Sequence, residues 1–199
     1  MLYYGKKKFT WGDYATKIFS IINSRHPAAK EFHLVNDRYD VIFSIKDSEH
    51  HRRRKKFFQG SKNVFFDAKY EIPPARSFVS FFTNDGNKMR LQEFLFRELQ
   101  ELAKTKNAKF LYTLKEKCFT LNPLDIAQEF ACHQHESDTR MLYHANILDN
   151  RHDVDNILVD AEDTDVLVMA SYAAQQMNKP LSIYRRKGLS VPRIYVIRL

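Results

Sequence analysis

The segment Val159-Asp160-Ala161-Glu162-Asp163-Thr164-Asp165-Val166-Leu167-Val168-Met169 constrains the fold most, because it sets carboxylates directly against apolar residues. Two carboxylates about 4 Å apart repel by roughly 4 kcal/mol at an effective dielectric near 20. A chain that gathers such groups at a strand end must hold them apart or neutralise them with a cation. One intervening residue sets Asp163 and Asp165 on one face if the segment is extended, and Val166-Leu167-Val168 reads as a buried strand beside them. A strand-end turn is the structural alternative. Upstream, His135-Glu136-Ser137-Asp138-Thr139-Arg140 supplies a second acidic pair, Glu136 and Asp138, at the same offset. Hard divalent ions such as Mg²⁺ or Mn²⁺ prefer oxygen ligands of this kind. The pattern points to metal-dependent phosphodiester chemistry.

Charge is divided along the chain. The net charge is +8, yet ten of the 24 acids lie between Glu129 and Asp165, where Arg140 and Arg151 are the only Lys or Arg residues. The densest basic patch runs from Lys46 through Arg52-Arg53-Arg54-Lys55-Lys56. A basic surface beside an acidic pocket suits a polyanionic substrate, with phosphates collected by the surface and cations held by the pocket. A charge run by itself is as readily a solvated face, and Arg52 to Lys56 also reads as a nuclear signal.

Several function classes are excluded or disfavoured. No run of eighteen apolar residues is present, so nothing is expected to span a bilayer. The start, Met1 to Lys8, has no apolar segment after its lysines and does not read as a secretory signal. Two cysteines, Cys118 and Cys132, are too few for a disulfide framework and favour a reducing, intracellular compartment. Five glycines leave little room for a phosphate-cradling loop, and no Gly-x-Ser-x-Gly occurs. Cys132, His133 and His135, with Cys118 and His144 nearby, lack the paired spacing of a zinc site.

At 199 residues the chain suits one compact domain. Helical spacing of Trp11, Tyr14, Ile18, Ile21 and Ile22 predicts a helix over Phe9 to Ser24 capped by Thr10. Further helices are expected at Lys88 to Lys104, Thr139 to Leu148 and Ala170 to Met177, with a basic helix at Asp47 to Phe58. Strands are expected at His33 to Val35, Phe110 to Leu114, Ile157 to Val159 and Val166 to Val168. Leu181 to Tyr184 and Arg193 to Ile197 read as closing strands. Lys62 to Phe82, rich in aromatics and broken by Pro73-Pro74, reads as irregular. Alternating strands and helices argue for an α/β sandwich with a partly parallel sheet, whose ligands gather at the carboxyl ends of strands. Asp37 and Asp163 are expected there.

Asp37-Arg38-Tyr39-Asp40, Ser44-Ile45-Lys46 with Arg52-Arg53-Arg54, the Glu136–Asp138 segment and Glu162-Asp163-Thr164-Asp165-Val166-Leu167-Val168 occur in an order that resembles the flap-endonuclease-like branch of the PIN-like superfamily. The resemblance runs from about Thr10 to the end. It implies a three-layer α/β/α sandwich with a mainly parallel central sheet. It also implies two Mg²⁺ or Mn²⁺ ions held by Asp37, Glu136, Asp138, Asp163 and Asp165, and hydrolysis of nucleic acid, with DNA favoured. Lys46 and one of Arg52, Arg53 or Arg54 match the cations that touch the scissile phosphate. Lys46 and Arg52 to Lys56 match a nucleic-acid surface. The chain departs from the family where a first strand bearing a further Asp is expected, so that strand is read as missing and the domain as truncated at both ends. A catalytically inactive module that binds nucleic acid or protein is the alternative, with the aromatics between Phe57 and Phe82 as a stacking surface.

Overall fold

The computed structural model describes residues 8–40, 63–73, 84–161, 163–185 and 194–198. Helix α1 is Trp11–Arg25, entered through a capping box. The Thr10 hydroxyl accepts from Asp13 N at 3.2 Å, and Asp13 Oδ2 accepts from Thr10 N at 3.0 Å. Trp11, Ala15, Ile18, Phe19 and Ile22 form its buried stripe, at the spacing expected from the sequence. Gly12 is required by contact rather than by conformation: its amide donates to Ala68 O at 3.0 Å, and a Cβ there would meet that oxygen at 2.9 Å. Helix α2, Asp85–Ala103, is capped by Asn84 and turns Leu91, Phe94, Leu95 and Leu99 inward.

Strand β1 is Glu31–Leu34, and β2 is Lys109–Leu114. Two short strands follow, β3 at Lys117–Leu121 and β4 at Leu124–Ile126, neither anticipated from periodicity. Helix α3 is Ser137–Asp149, β5 is Ile157–Ala161, helix α4 is Thr164–Ala174, β6 is Leu181–Arg185 and β7 is Ile194–Arg198.

The strands form one sheet in the order β4-β3-β2-β1-β7-β5-β6. The α/β class holds, but the expectation of a mainly parallel sheet does not. Only β1 with β2 and β5 with β6 pair in parallel, while β2–β3, β3–β4, β1–β7 and β5–β7 are antiparallel. Two causes act. The connections from β2 to β3 and from β3 to β4 are too short for a crossover, so those strands fold back as hairpins. The last strand does not close an edge either. It enters between β1 and β5, with Glu31 opposite Arg198, and with Leu34 and Asp160 both opposite Tyr195. Among the described residues β7 alone joins the two parallel pairs.

Alternation along β1 divides the molecule. Phe32 and Leu34 face α1 and α2 in a core completed by Phe94, Phe110, Tyr112 and Leu158. Phe32 stacks on Phe110 at 4.8 Å. The opposite face packs against α3 and α4 through Leu111, Met141, Ala145, Leu148, Ile157, Val159 and Val166. No described helix is long and apolar enough to cross a membrane.

Candidate functional site

Beyond Leu34 the chain leaves β1 and is fixed at once by its neighbours. Asn36 N donates to the Thr113 hydroxyl at 2.7 Å, its side-chain amide donates to Thr113 O at 2.9 Å, and Gln92 Nε2 donates to Asp37 O at 2.9 Å. Asp37 is thereby held at the carboxyl end of β1, as its sequence position suggested. Its Oδ1 accepts from Ser137 N at 2.8 Å and from the Ser137 hydroxyl at 2.6 Å, and Oδ2 accepts from the Tyr39 hydroxyl at 3.0 Å. The first amides of a helix lack intrahelical acceptors and carry partial positive charge. Glu136, at the cap position of α3, makes no cap bond with its own side chain, and Asp37 supplies the acceptor from 100 residues away. Asp37 therefore stands at the turn where Glu136 and Asp138 flank Ser137. Both are half-buried.

The second acidic pair is built differently. Residues 166–168 are not a strand: helix α4 begins at Thr164, Asp163 is its cap, and the Asp163 carboxylate accepts from Asp165 N at 3.1 Å. Capping and the Val166–Ala170 spacing outweigh the β-propensity of the run. Those two residues face the core, while Val168 is 69% exposed. Asp163 and Asp165 lie in a helix's first turn rather than on a strand face, and both are exposed.

The two acidic groups share an edge of the sheet. β1 and β5 run the same way with β7 between them, so their ends are two strand spacings apart, about 10 Å. α3 also packs against β5, β7 and α4. Among the described residues, however, no group of three or more His, Cys, Asp or Glu side chains is close enough to hold a metal ion. The donor chemistry still fits Mg²⁺, which usually keeps several waters and takes one or two carboxylates together with substrate phosphates.

Beneath α3 lies a buried polar chain that sequence reasoning missed. His33 and His144 are fully buried, with their Nδ1 atoms 2.9 Å apart, so one ring must donate and the other accept. His33 Nε2 donates to Glu31 Oε1 at 2.9 Å, and the same oxygen accepts from Arg151 Nη1 at 2.9 Å. This network assigns the His144 proton to Nδ1 and leaves its buried Nε2 without a hydrogen-bond partner. Burial would raise the Glu31 carboxyl, but His33, Arg151 and Lys109 outweigh it and bring it down to about 2. Burial pushes both imidazoles below their ordinary value. For His144 the neighbouring His33 and Arg140 add to the effect, and for His33 the pull of Glu31 opposes it. Period-2 alternation offered the one available clue, since it puts Glu31 and His33 on the same face of β1.

Two more acids of the Glu129–Asp165 segment serve structure. Asp160, at 0% exposure on β5, lies 3.2 Å from His26 Nε2 and 3.9 Å from Arg25 Nη1. A carboxylate directly after Ile157-Leu158-Val159 signals a buried charge in need of a partner, but His26 lies 134 residues away. Asp149, at the far end of α3, accepts from the amides of Asn178 and Lys179. Lys46, Arg52, Arg53, Arg54, Lys55 and Lys56, the helix expected at Asp47 to Phe58, and Glu162 lie outside the described residues. Of the aromatic segment, residues 63–73 are described and are irregular apart from a single bridge between Thr10 and Glu71. Compared with protein-family models, curated proteins and solved structures, the chain matches none.

Proposed function

We propose that this protein is a PIN-like, metal-dependent nuclease that hydrolyses nucleic-acid phosphodiester bonds at the carboxyl edge of β1 and β5. The observation that supports the reading is that acids distant in the chain share one sheet edge: Asp37 is bonded to the turn that presents Glu136 and Asp138, and Asp163 and Asp165 begin the helix that follows β5. These five side chains would hold Mg²⁺ or Mn²⁺. When bound, such ions supply an activated water and stabilise charge on phosphoryl oxygens. α3 and α4 both start at this edge, and helix N-termini favour phosphate. Lys46 and one of Arg52 or Arg53 would neutralise the scissile phosphate, and Arg54, Lys55 and Lys56 would extend the nucleic-acid surface. Helices on both faces of the sheet support the finer reading of a three-layer sandwich. An intracellular, nuclear setting with DNA as substrate accords with this assignment.

The test is Mn²⁺- or Mg²⁺-dependent cleavage of flap, hairpin and single-stranded DNA by the purified chain, compared with a D163A/D165A double variant. Cleavage that needs the metal and is lost in the variant is expected. Equal cleavage by the two proteins removes the proposal.

A second reading has its own observation. Asp37 and Asp163 each accept hydrogen bonds at the start of a helix, which accounts for both without any metal. A module that only binds nucleic acid would show steep salt dependence and no metal requirement.

A further inference from the structure

We infer that Arg140 is a positioning residue that clamps the Asp37 segment against the first turn of α3; its consequence for metal rests on the function proposed above. Arg140 is one of the largest fully buried side chains, at 0% exposure, and its Nη1 donates to Asn36 O at 2.9 Å. Asn36 immediately precedes Asp37. Around this bond the two segments are stitched from both sides. Asp37 Oδ1 takes two hydrogen bonds from Ser137, Arg38 N donates to His135 O at 2.7 Å, and Arg38 Nη1 donates to His133 O at 3.1 Å. Five hydrogen bonds thus tie residues 36–38 to residues 133–140. Arg140 supplies the one that comes from inside the core.

Stability does not explain an arginine at this position. A guanidinium offers five donors, yet Nε and Nη2 are buried with no hydrogen bond of ordinary geometry, and the Cys132 thiol is the side chain that most favours the charge. Burial lowers the pKa of the guanidinium, and Cys132 only partly opposes this. An isolated buried guanidinium is costly to desolvate, and an apolar chain of similar volume avoids that cost. What an apolar chain cannot do is hold the Asn36 carbonyl. The side chain is therefore retained for geometry: it fixes the backbone from which Asp37 reaches Ser137, the residue between Glu136 and Asp138.

Two measurements on the full chain test this, and they fail separately. Hydrogen–deuterium exchange of the metal-free protein should show at least about tenfold faster exchange over residues 36–38 in R140M, with residues 163–165 unchanged. In Mn²⁺ titrations R140M should bind about 10–100-fold more weakly. R140K, which keeps a long donor, should recover part of both losses. Where R140M does not fold, R140Q, neutral and too short to reach Asn36, replaces it in the comparison. Unchanged exchange over 36–38 overturns the clamp. Faster exchange with undiminished Mn²⁺ affinity overturns its role toward metal. Absence of Mn²⁺ binding by the wild-type chain overturns the proposed function and, with it, that role, while the exchange result still decides the clamp.

Discussion

The junction of β1 with α3 and the junction of β5 with α4 each put acids at the same sheet edge, but by opposite means. At the first, Asp37 is carried into hydrogen bonds with Ser137 from 100 residues away, above a layer of buried Arg140, His144, His33 and Glu31. At the second, Asp163 bonds only two residues ahead, in a locally determined cap, and both acids are exposed. The first junction is therefore assembled by the whole fold, and the second by its own dozen residues. Perturbing the core should dismantle the first and leave the second intact.

The largest expected effect breaks the layer under the first junction. E31A removes the acceptor of His33 and Arg151 and leaves buried donors unpaired, so a loss of about 3–5 kcal/mol is expected in urea unfolding. A loss below about 1 kcal/mol would show that the layer does not support α3.

Acid should reach the same layer. His33 and His144 are held below their ordinary pKa when folded, so below about pH 6.5 the unfolded chain binds protons that the folded chain does not. Their contribution is thus fully present above that pH and is lost as pH falls, at up to about 1.4 kcal/mol per pH unit for each ring. Glu31, depressed to about 2, adds a further loss below about pH 4. Urea midpoints measured between pH 7.5 and 5 should decline, and H144L should flatten the decline. A flat wild-type profile would contradict the assignment of two neutral, buried rings.

Smaller effects separate the junctions directly. D37A removes the acceptor of the Ser137 amide and hydroxyl, and should lose about 1–3 kcal/mol. D163A removes a helix cap and should lose about 1 kcal/mol. D165A, exposed in the first turn, should change the unfolding midpoint least of the series while abolishing any metal-dependent cleavage. Equal destabilisation by D37A and D165A would erase the contrast between the junctions.

Local rules were legible where local energetics decide. The Thr10 cap and the apolar stripes of α1 and α2 followed from residue type and spacing alone. So did the positions of β1, β2 and β5, and the placement of Asp37 just beyond a strand. Val166 to Val168 misled because a short apolar run has no period of its own; the Asp163 cap and the single inward pair Val166 and Ala170 settled it as helix. The strands β3 and β4 were missed because their hairpin rests on cross-strand partners rather than on a strong alternating pattern.

By itself, the sequence determined the α/β alternation, the capped start of α1 and which segments carry acid, since each follows from interactions within a few residues. Tertiary structure alone decided that β7 enters the middle of the sheet, that Asp160 meets His26, and that His33 meets His144. It also decided that Asp37 and Arg140 cross-bond α3 to the segment after β1. Each of these pairs residues far apart in the chain. No local propensity encodes such a partner, and the buried polar groups find one only once the apolar faces have closed around them.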